Sequence, residues 1–224
     1  MPMTPNRSFF PGHRLARTIL IVGAPLLLAV VEFFHPHLGD PLRLDVQTWL
    51  VVHYAQIPLF PLSAVALALL VRGREDIAAF LCRVAMFVFA VSYISFDTAA
   101  GVVTGILVNA AQMSGMPEAW RAPINAVWSD PIVGGSPLIP APFLAVLGSV
   151  ALSVGAVTAA ISLKRAGSSW APVALLALSS FGIAVFKTHA WPGGPLTFGG
   201  LAAAAAWLEW ERARKEHEPL HGAL

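Results

Sequence analysis

VAMFVFAVSYISFDTAAGVVTGILV, residues 84–108, is the stretch that decides the fold class. Asp97 is its only charged residue, and the rest is apolar, small or hydroxyl-bearing. About 20 helical residues cross the hydrocarbon core of a bilayer, so this stretch predicts a transmembrane helix. Over the 224 residues, 57% are apolar and 12% are charged, whereas soluble domains carry roughly 25% charged residues. The composition therefore predicts an integral membrane protein.

Further apolar runs lie on both sides of this stretch. The six predicted spans are residues 18–34, 48–71, 84–108, 138–163, 168–189 and 195–210. The sixth is the least hydrophobic, but its glycines and alanines permit close helix packing. We expect an all-α polytopic bundle of about six transmembrane helices in one domain, residues 18–210, between an N-terminal segment, 1–17, and a tail, 211–224.

The lysine and arginine residues are distributed unequally between the predicted loops. With a cytoplasmic N-terminus, eleven of the fourteen lie on the cytoplasmic side. These eleven are Arg7, Arg14, Arg17, Arg72, Arg74, Arg83, Lys164, Arg165, Arg212, Arg214 and Lys215. The positive-inside rule thus predicts that both termini lie in the cytoplasm, and the expected location is the cytoplasmic (inner) membrane. The basic residues form short clusters rather than a stripe, so a nucleic-acid partner is not expected.

The predicted external loop, residues 109–137, contains one amphipathic pattern. Trp120, Ile124 and Trp128 recur at a spacing of four, which would place them on one face of a short interfacial helix, kinked by Pro123. Two interpretations are open, an interfacial anchor and a lid over a cavity between the helices.

Asp97 is the clearest candidate functional residue. Counting down from Asn109 at 1.5 Å per residue places it roughly 18 Å deep, near the bilayer midplane, where ionisable groups are costly. It could bind a proton or cation, or form hydrogen bonds with neighbouring helices. Gly101 and Gly105 follow it as a GxxxG pair, a close-packing signal that could join copies of the chain or other subunits.

Other polar residues are expected toward the external side. His53 and Gln56 share a face of the second span, Glu32 ends the first span, and His189 precedes the sixth. With Asp97 they would bound an outward-facing polar cavity that binds a ligand or ion. The alternative for each histidine is a hydrogen-bonded packing residue.

Metal and haem sites are further hypotheses. Glu32 and His35 have the Glu-x-x-His spacing of carboxylate-bridged metal sites, but the predicted spans hold no second copy of it. The candidate metal ligands are His35, His37, His53 and His189, which with Glu32 or Asp97 could bind zinc or copper. His53 and His189 could also be axial ligands of a haem.

Several chemistries find no support. Cys82 is the single cysteine, and we interpret it as a packing residue. The sequence holds no Walker loop, GxGxxG or GxSxG motif, and no catalytic residue is assigned.

Four pieces of the chain carry a resemblance. They are EFFHPHLGDP (32–41), Trp49 with His53, DTAAGVVTG (97–105) and HAWPGGPLTFGGLAAAAAWLE (189–209). Together they resemble small, uncharacterised bacterial multi-span membrane proteins, which implies a helical bundle and no particular activity.

Three functions follow from the sequence. The leading hypothesis is a membrane protein that handles a small molecule or ion, with Asp97 binding a proton or cation and the histidines controlling access. A membrane-embedded metal- or haem-dependent enzyme, and an accessory subunit of a larger membrane complex, are the alternatives.

Overall fold

The computed structural model describes residues 11–37, 39–135 and 141–217, and all regular structure in these ranges is helical. The helices are α1 (Pro11–Phe33), α2 (Val46–Leu70), α3 (Ile77–Phe96), α4 (Thr104–Met113), α5 (Arg121–Trp128), α6 (Phe143–Arg165), α7 (Trp170–Ser179), α8 (Gly182–Phe186) and α9 (Gly193–His217). Asp97–Val103 is a π-helical segment that joins α3 to α4, and Pro41–Arg43 and Pro117–Trp120 are short 3-10 helices. The predicted all-α fold class is confirmed.

Four helical segments are long and apolar enough to cross a membrane. They are Arg14–Phe33, Val46–Leu70, Ile77–Met113 and Phe143–Arg165. The fifth predicted span corresponds to α7 and α8, an apolar stretch that is shorter, Trp170–Phe186. The sixth corresponds to α9, which starts with Gly193, Gly194 and Pro195 and carries charged residues from Glu209 onward. The described part of the chain therefore contains four candidate membrane spans with two less suited helical segments packed beside them.

The third candidate span, Ile77–Met113, begins earlier than the sequence predicts. Asp76 caps it, because its carboxylate accepts the backbone N–H of Ala79. Arg83 is tolerated inside the first turns because its guanidinium reaches back and donates to the Arg74 carbonyl at 3.2 Å. The helix therefore begins before Arg83, and this charged residue lies inside it.

The helices run between two ends of the bundle. At one end, Arg17 of α1 donates to Glu209 of α9 with an Nη1–Oε2 distance of 3.3 Å. At the other end, His189, just before α9, pairs with Glu32 in the last turn of α1 at 3.1 Å. We call these the basic end and the histidine end. The contacts show that α9 lies antiparallel to α1 over most of its length.

Aromatic side chains fill the space between the two ends. Phe60 of α2 and Phe89 of α3 pack on Tyr93, with ring centroids 4.7 and 5.0 Å from it, and Phe198 of α9 lies 6.1 Å from Phe60. Helix α6 approaches α3 closely because Gly148 has no side chain to overlap the Tyr93 ring. Such close packing supplies the van der Waals contacts that hold helices together in lipid.

Helix α5 lies within the predicted external loop. Ile124 and Trp128 are buried, and Trp120 packs beside Ile124, against the start of α2 and the end of α4. The three residues therefore share a face, and that face packs on the chain itself. Pro123 lies in the first turn of α5, which begins at Arg121, and proline there has no helical N–H bond to break.

Candidate functional site

Five ionisable side chains from four parts of the chain meet at the histidine end. They belong to Glu32 in α1, His35 just after it, His53 in α2, Asp97 in the π-helical segment and His189 between α8 and α9. The first four are 0, 7, 2 and 1% exposed, respectively. The His189 side chain, at 17%, is the most accessible of the five. The site is thus closed rather than an open outward cavity.

Two carboxylate–imidazole pairs form the two sides of this cluster. His189 Nδ1 donates to Glu32 Oε2 at 3.1 Å, which balances a carboxylate placed unfavourably in the last turn of α1. His53 Nε2 lies 3.7 Å from Asp97 Oδ1, which is too long for a hydrogen bond. The first pair is therefore joined directly, and the second is not.

The ring of His35 lies between these two pairs. Its centroid is 4.9 Å from that of His53 and 4.7 Å from that of His189. Its Nδ1 donates to the Pro36 carbonyl at 2.9 Å, so in the neutral ring Nε2 is an acceptor, and it is buried without a partner. His35 connects the two pairs through a chain of three imidazoles.

The hydrogen bond of His53 to its own helix fixes which nitrogen carries the proton. A carbonyl can only accept, so Nδ1 donates to the Trp49 carbonyl at 2.7 Å. In the neutral ring Nε2 then presents a lone pair to Asp97, whose two carboxylate oxygens also lack any hydrogen-bond partner. Two acceptors face each other here, an arrangement that a proton or a cation between them would make favourable.

The π-helical segment places Asp97 beside His53. A π-turn widens the helix by one residue, and such turns occur often at functional sites. Trp49 Nε1 donates to the Gly101 carbonyl in this segment at 2.8 Å. A Cβ at Gly101 would overlap the His53 ring. Glycine at this position therefore lets α2 approach Asp97 closely.

Two further glycines make room for the turn that carries His189. A Cβ at Gly193 would meet the Thr188 carbonyl, and one at Gly194 would meet the carbonyl of His189 itself. Thr188 stabilises the turn by accepting the backbone N–H of Ala190 at 3.1 Å. The imidazole is thereby held against the end of α1.

Two histidines of the cluster, His35 and His189, have opposite electrostatic surroundings. Burial lowers the pKa of His35 well below 6.5, and the neighbouring His189 and His53 lower it further. Burial also opposes protonation of His189, but Glu32 and then Asp97 outweigh it and raise the pKa of His189 above 6.5. His189 is therefore more easily protonated than an ordinary imidazole, and His35 is less easily protonated.

The structure brings together most of the residues that the sequence singles out. Glu32, His53, Asp97 and His189 form the cluster, and Gln56 lies one turn along α2 from His53, fully buried and without a partner for its amide. His35 joins them. His37 is exposed and lies outside the cluster.

The depth that the sequence assigns to Asp97 is corrected. Asp97 contacts His53, in the second turn of α2, and lies near the Glu32 end of α1 rather than level with the middle of either helix. The count from Asn109 was misleading because Ile77–Met113 has 37 residues, far more than the ~20 that a bilayer needs.

The Gly101 and Gly105 face is covered by the same chain. A Cβ at Gly105 would meet Leu50 and Trp49 of α2, so this face packs internally and is not open to another subunit. Trp49 itself is 3% exposed, and its indole N–H donates to the Gly101 carbonyl.

The metal and haem hypotheses can be compared with this geometry. Among the described residues, no group of three or more His, Cys, Asp and Glu side chains is placed to hold a metal ion. A haem between His53 and His189 would need the space that the His35 ring occupies. The arrangement fits neither hypothesis as the sequence framed it.

Comparison with protein-family models, with curated proteins and with solved structures found no match. The resemblance to small bacterial membrane proteins remains a prediction, and function is argued from the site alone.

Proposed function

We propose that the protein takes up a proton or another small cation from the external side of the cytoplasmic membrane and holds it at the histidine–carboxylate cluster. The observation that carries this proposal is the surplus of buried acceptors. Both oxygens of Asp97, Glu32 Oε1 and His35 Nε2 lack a hydrogen-bond partner, and His53 Nε2 faces Asp97 at 3.7 Å. Buried acceptors are normally satisfied, so a positively charged or proton-donating ligand is the species that suits this site.

The proposed topology has six spans, with both termini in the cytoplasm. The four apolar spans are supplemented by α7 with α8 and by α9, which reach from one end of the bundle to the other beside α1 and α6. Arg17, Arg74, Lys164 and Arg212 lie at the basic end, which the positive-inside rule assigns to the cytoplasm. The histidine end is then external.

The chain of imidazoles supports a stepwise path for the cation. His189, which pairs with Glu32, is the most accessible group. His35 offers the next unpaired acceptor, and His53 with Asp97 offers the last. Beyond them the aromatic packing of Phe60 and Tyr93 closes the interior. A cation held at this site would therefore be shielded from water.

Asp97→Asn in vesicles reconstituted with the full chain tests this proposal. Proton flux is followed with an internal pH dye after a pH jump, and Na⁺, K⁺ and Zn²⁺ are offered as separate probes. Glu75→Gln is the matched control, because it also removes one carboxylate charge, at an exposed position. We expect uptake of at least one probe to fall more than tenfold in Asp97→Asn alone.

Equal uptake by Asp97→Asn and the unaltered protein would overturn the proposal. Stoichiometric zinc, copper or iron in the purified protein would favour the metal-dependent enzyme instead. Co-purification of another membrane protein in mild detergent, without uptake of any probe, would favour an accessory subunit. Such a partner would need a face other than that of Gly101 and Gly105, which α2 covers.

A further inference from the structure

A basic cavity lies at the basic end, opposite the candidate cation site. Its volume is about 580 Å³, within the range of ordinary ligand pockets. The lining residues with charge are Arg17, Arg72, Arg74, Arg212 and Lys215. They come from α1, the loop between α2 and α3, and α9, so the fold collects cations that are far apart in sequence.

The carboxylates around this cavity neutralise only part of its charge. Glu209 is shared by Arg17 and Arg212, and Asp76 accepts from Arg74 at 3.2 Å. Among the described residues that line the cavity, five are cations and none is a carboxylate. The lining is therefore positively charged, which favours an anionic ligand.

The backbone holds several of these cations in place at the cavity wall. Arg212 Nη2 donates to the Leu70 carbonyl at 2.5 Å, and Lys215 Nζ donates to the Gly167 carbonyl at 3.0 Å. A guanidinium has five N–H donors and an ammonium has three, so these bonds leave donors for a ligand. The wall is therefore organised before a ligand arrives, which lowers the entropic cost of binding.

An apolar groove continues from the basic cavity. It has a volume of about 460 Å³ and is lined by Val65, Ala68 and Leu69 of α2, together with Arg83 and with Arg72 and Gly73, which also line the basic cavity. A cationic cavity joined to an apolar groove matches a molecule with a phosphate at one end and a hydrocarbon chain at the other. Basic pockets beside membrane helices bind the headgroups of anionic lipids.

We propose that the basic cavity binds a phosphate group, supplied by an anionic phospholipid whose acyl chain lies in the groove beside α2. This site is independent of the cation site, which lies at the other end of the bundle. Free phosphate carries the same charged group as the lipid headgroup but has no acyl chain to occupy the apolar groove. The two sources can therefore be distinguished by experiment.

The test measures thermal unfolding of the full chain in detergent at constant ionic strength. Phosphatidylglycerol, phosphatidylcholine and inorganic phosphate are added in separate titrations. The variant is Arg72→Gln with Lys215→Gln, which removes two exposed charges of the lining. The control is Arg165→Gln, an exposed arginine at the same end that does not line the cavity.

We expect phosphatidylglycerol to raise the Tm of the unaltered protein and of Arg165→Gln, and to bind the double variant roughly thirtyfold more weakly. Stabilisation by phosphatidylglycerol without an effect of inorganic phosphate supports the lipid source. Stabilisation by inorganic phosphate alone would support a phosphate-binding site but overturn the proposal that a phospholipid supplies the phosphate. An equal effect of phosphatidylcholine, or an undiminished effect of phosphatidylglycerol on the double variant, would overturn the proposal.

Discussion

Two carboxylates, one at each end of the bundle, have opposite surroundings. At the basic end Glu209, whose side chain is 9% exposed, accepts hydrogen bonds from Arg17, Arg212 and Thr18. At the histidine end Asp97 is 1% exposed and neither of its oxygens has a hydrogen-bond partner. Both residues are costly to bury, but only Glu209 is compensated by the chain itself.

This difference separates a structural charge from a functional one. A carboxylate that accepts hydrogen bonds from several cations has a structural role, because breaking one of these bonds would leave a charge without its partner. A carboxylate without donors weakens the fold and is suited to a ligand that supplies the missing charge. The four predictions below examine this contrast, beginning with the largest expected effect.

Glu209→Gln is expected to lower the free energy of unfolding in detergent by about 3 kcal/mol, because it leaves Arg17 and Arg212 without their shared carboxylate. The figure is at the low end for a buried pair because the two arginine side chains are 29 and 35% exposed. Asp97→Asn is the contrasting variant, and its stability should be unchanged or higher. Equal losses of stability in both variants would contradict a stabilising role for the hydrogen bonds that Glu209 has and Asp97 lacks.

Gly101→Ala should cost about 2 kcal/mol of stability and abolish cation uptake, since the new methyl group overlaps the His53 ring and displaces it from Asp97. Gly199→Ala in α9 is the matched control. The nearest atom to its added Cβ, on Ala29, is 3.9 Å away, so it should be neutral or stabilising by up to about 1 kcal/mol. Normal uptake by Gly101→Ala would contradict the close approach of α2 to the π-helical segment.

The apolar helices and the polar residues of the site could be predicted from the sequence, but their arrangement could not. The hydropathy of residues 84–108 indicates a helix, and the cost of a charge in lipid points to Asp97. Nothing in the residue pattern reports the π-turn at Asp97–Val103 or the 37-residue length of the segment that contains it. Those features set the level of Asp97 relative to α1 and α2.

The same limit applies to residues that act through tertiary contacts. Trp49 is near a helix start, which by itself suggests a membrane-interface anchor, yet its indole N–H binds the Gly101 carbonyl. Gly101 was recognised as a close-packing residue, but the sequence could not tell that its neighbour would be α2 of the same chain. His35 and His37 are both candidate metal ligands in the sequence, but the structure buries His35 beside His53 and leaves His37 exposed.

The pH dependence of stability should show the opposite surroundings of His189 and His35. The pKa of His189 is raised by Glu32 and Asp97 against the effect of burial, so its contribution is present below pH 6.5 and is lost as the pH rises above that value. The pKa of His35 is lowered by burial and by His189 and His53. Its unfolded form therefore binds a proton that the folded form does not, and stability falls as the pH drops below 6.5.

Thermal unfolding between pH 5 and 9 measures both limbs. Subtracting the curve of His189→Gln from that of the unaltered protein should leave a loss of stability on the alkaline side. The same subtraction for His35→Gln should leave a loss on the acidic side. Two flat difference curves would mean that neither imidazole changes its protonation between the folded and unfolded chain.

The smallest effect is expected at the exposed part of the histidine end. Arg121 binds Glu118 through two hydrogen bonds of 2.7 and 2.9 Å and reaches Asp40 at 3.1 Å, which joins the first loop to α5. These groups are accessible to water and salt, so exposed pairs of this kind contribute little to stability. Arg121→Gln should leave the Tm almost unchanged, because Ile124 and Trp128 hold α5 by packing.

The same variant should still be visible in the titration of Asp40. The hydrogen bond from Arg121 is the main reason that the pKa of Asp40 lies below its ordinary value, so Arg121→Gln should raise the pKa of that carboxyl toward 3.8. Carboxyl chemical shifts followed by NMR as a function of pH measure this change, and high salt should reduce it. A large drop in Tm would instead show that these exposed ion pairs stabilise the fold as strongly as the hydrogen bonds of Glu209 do. Exposure to water would then not explain which carboxylates contribute to stability.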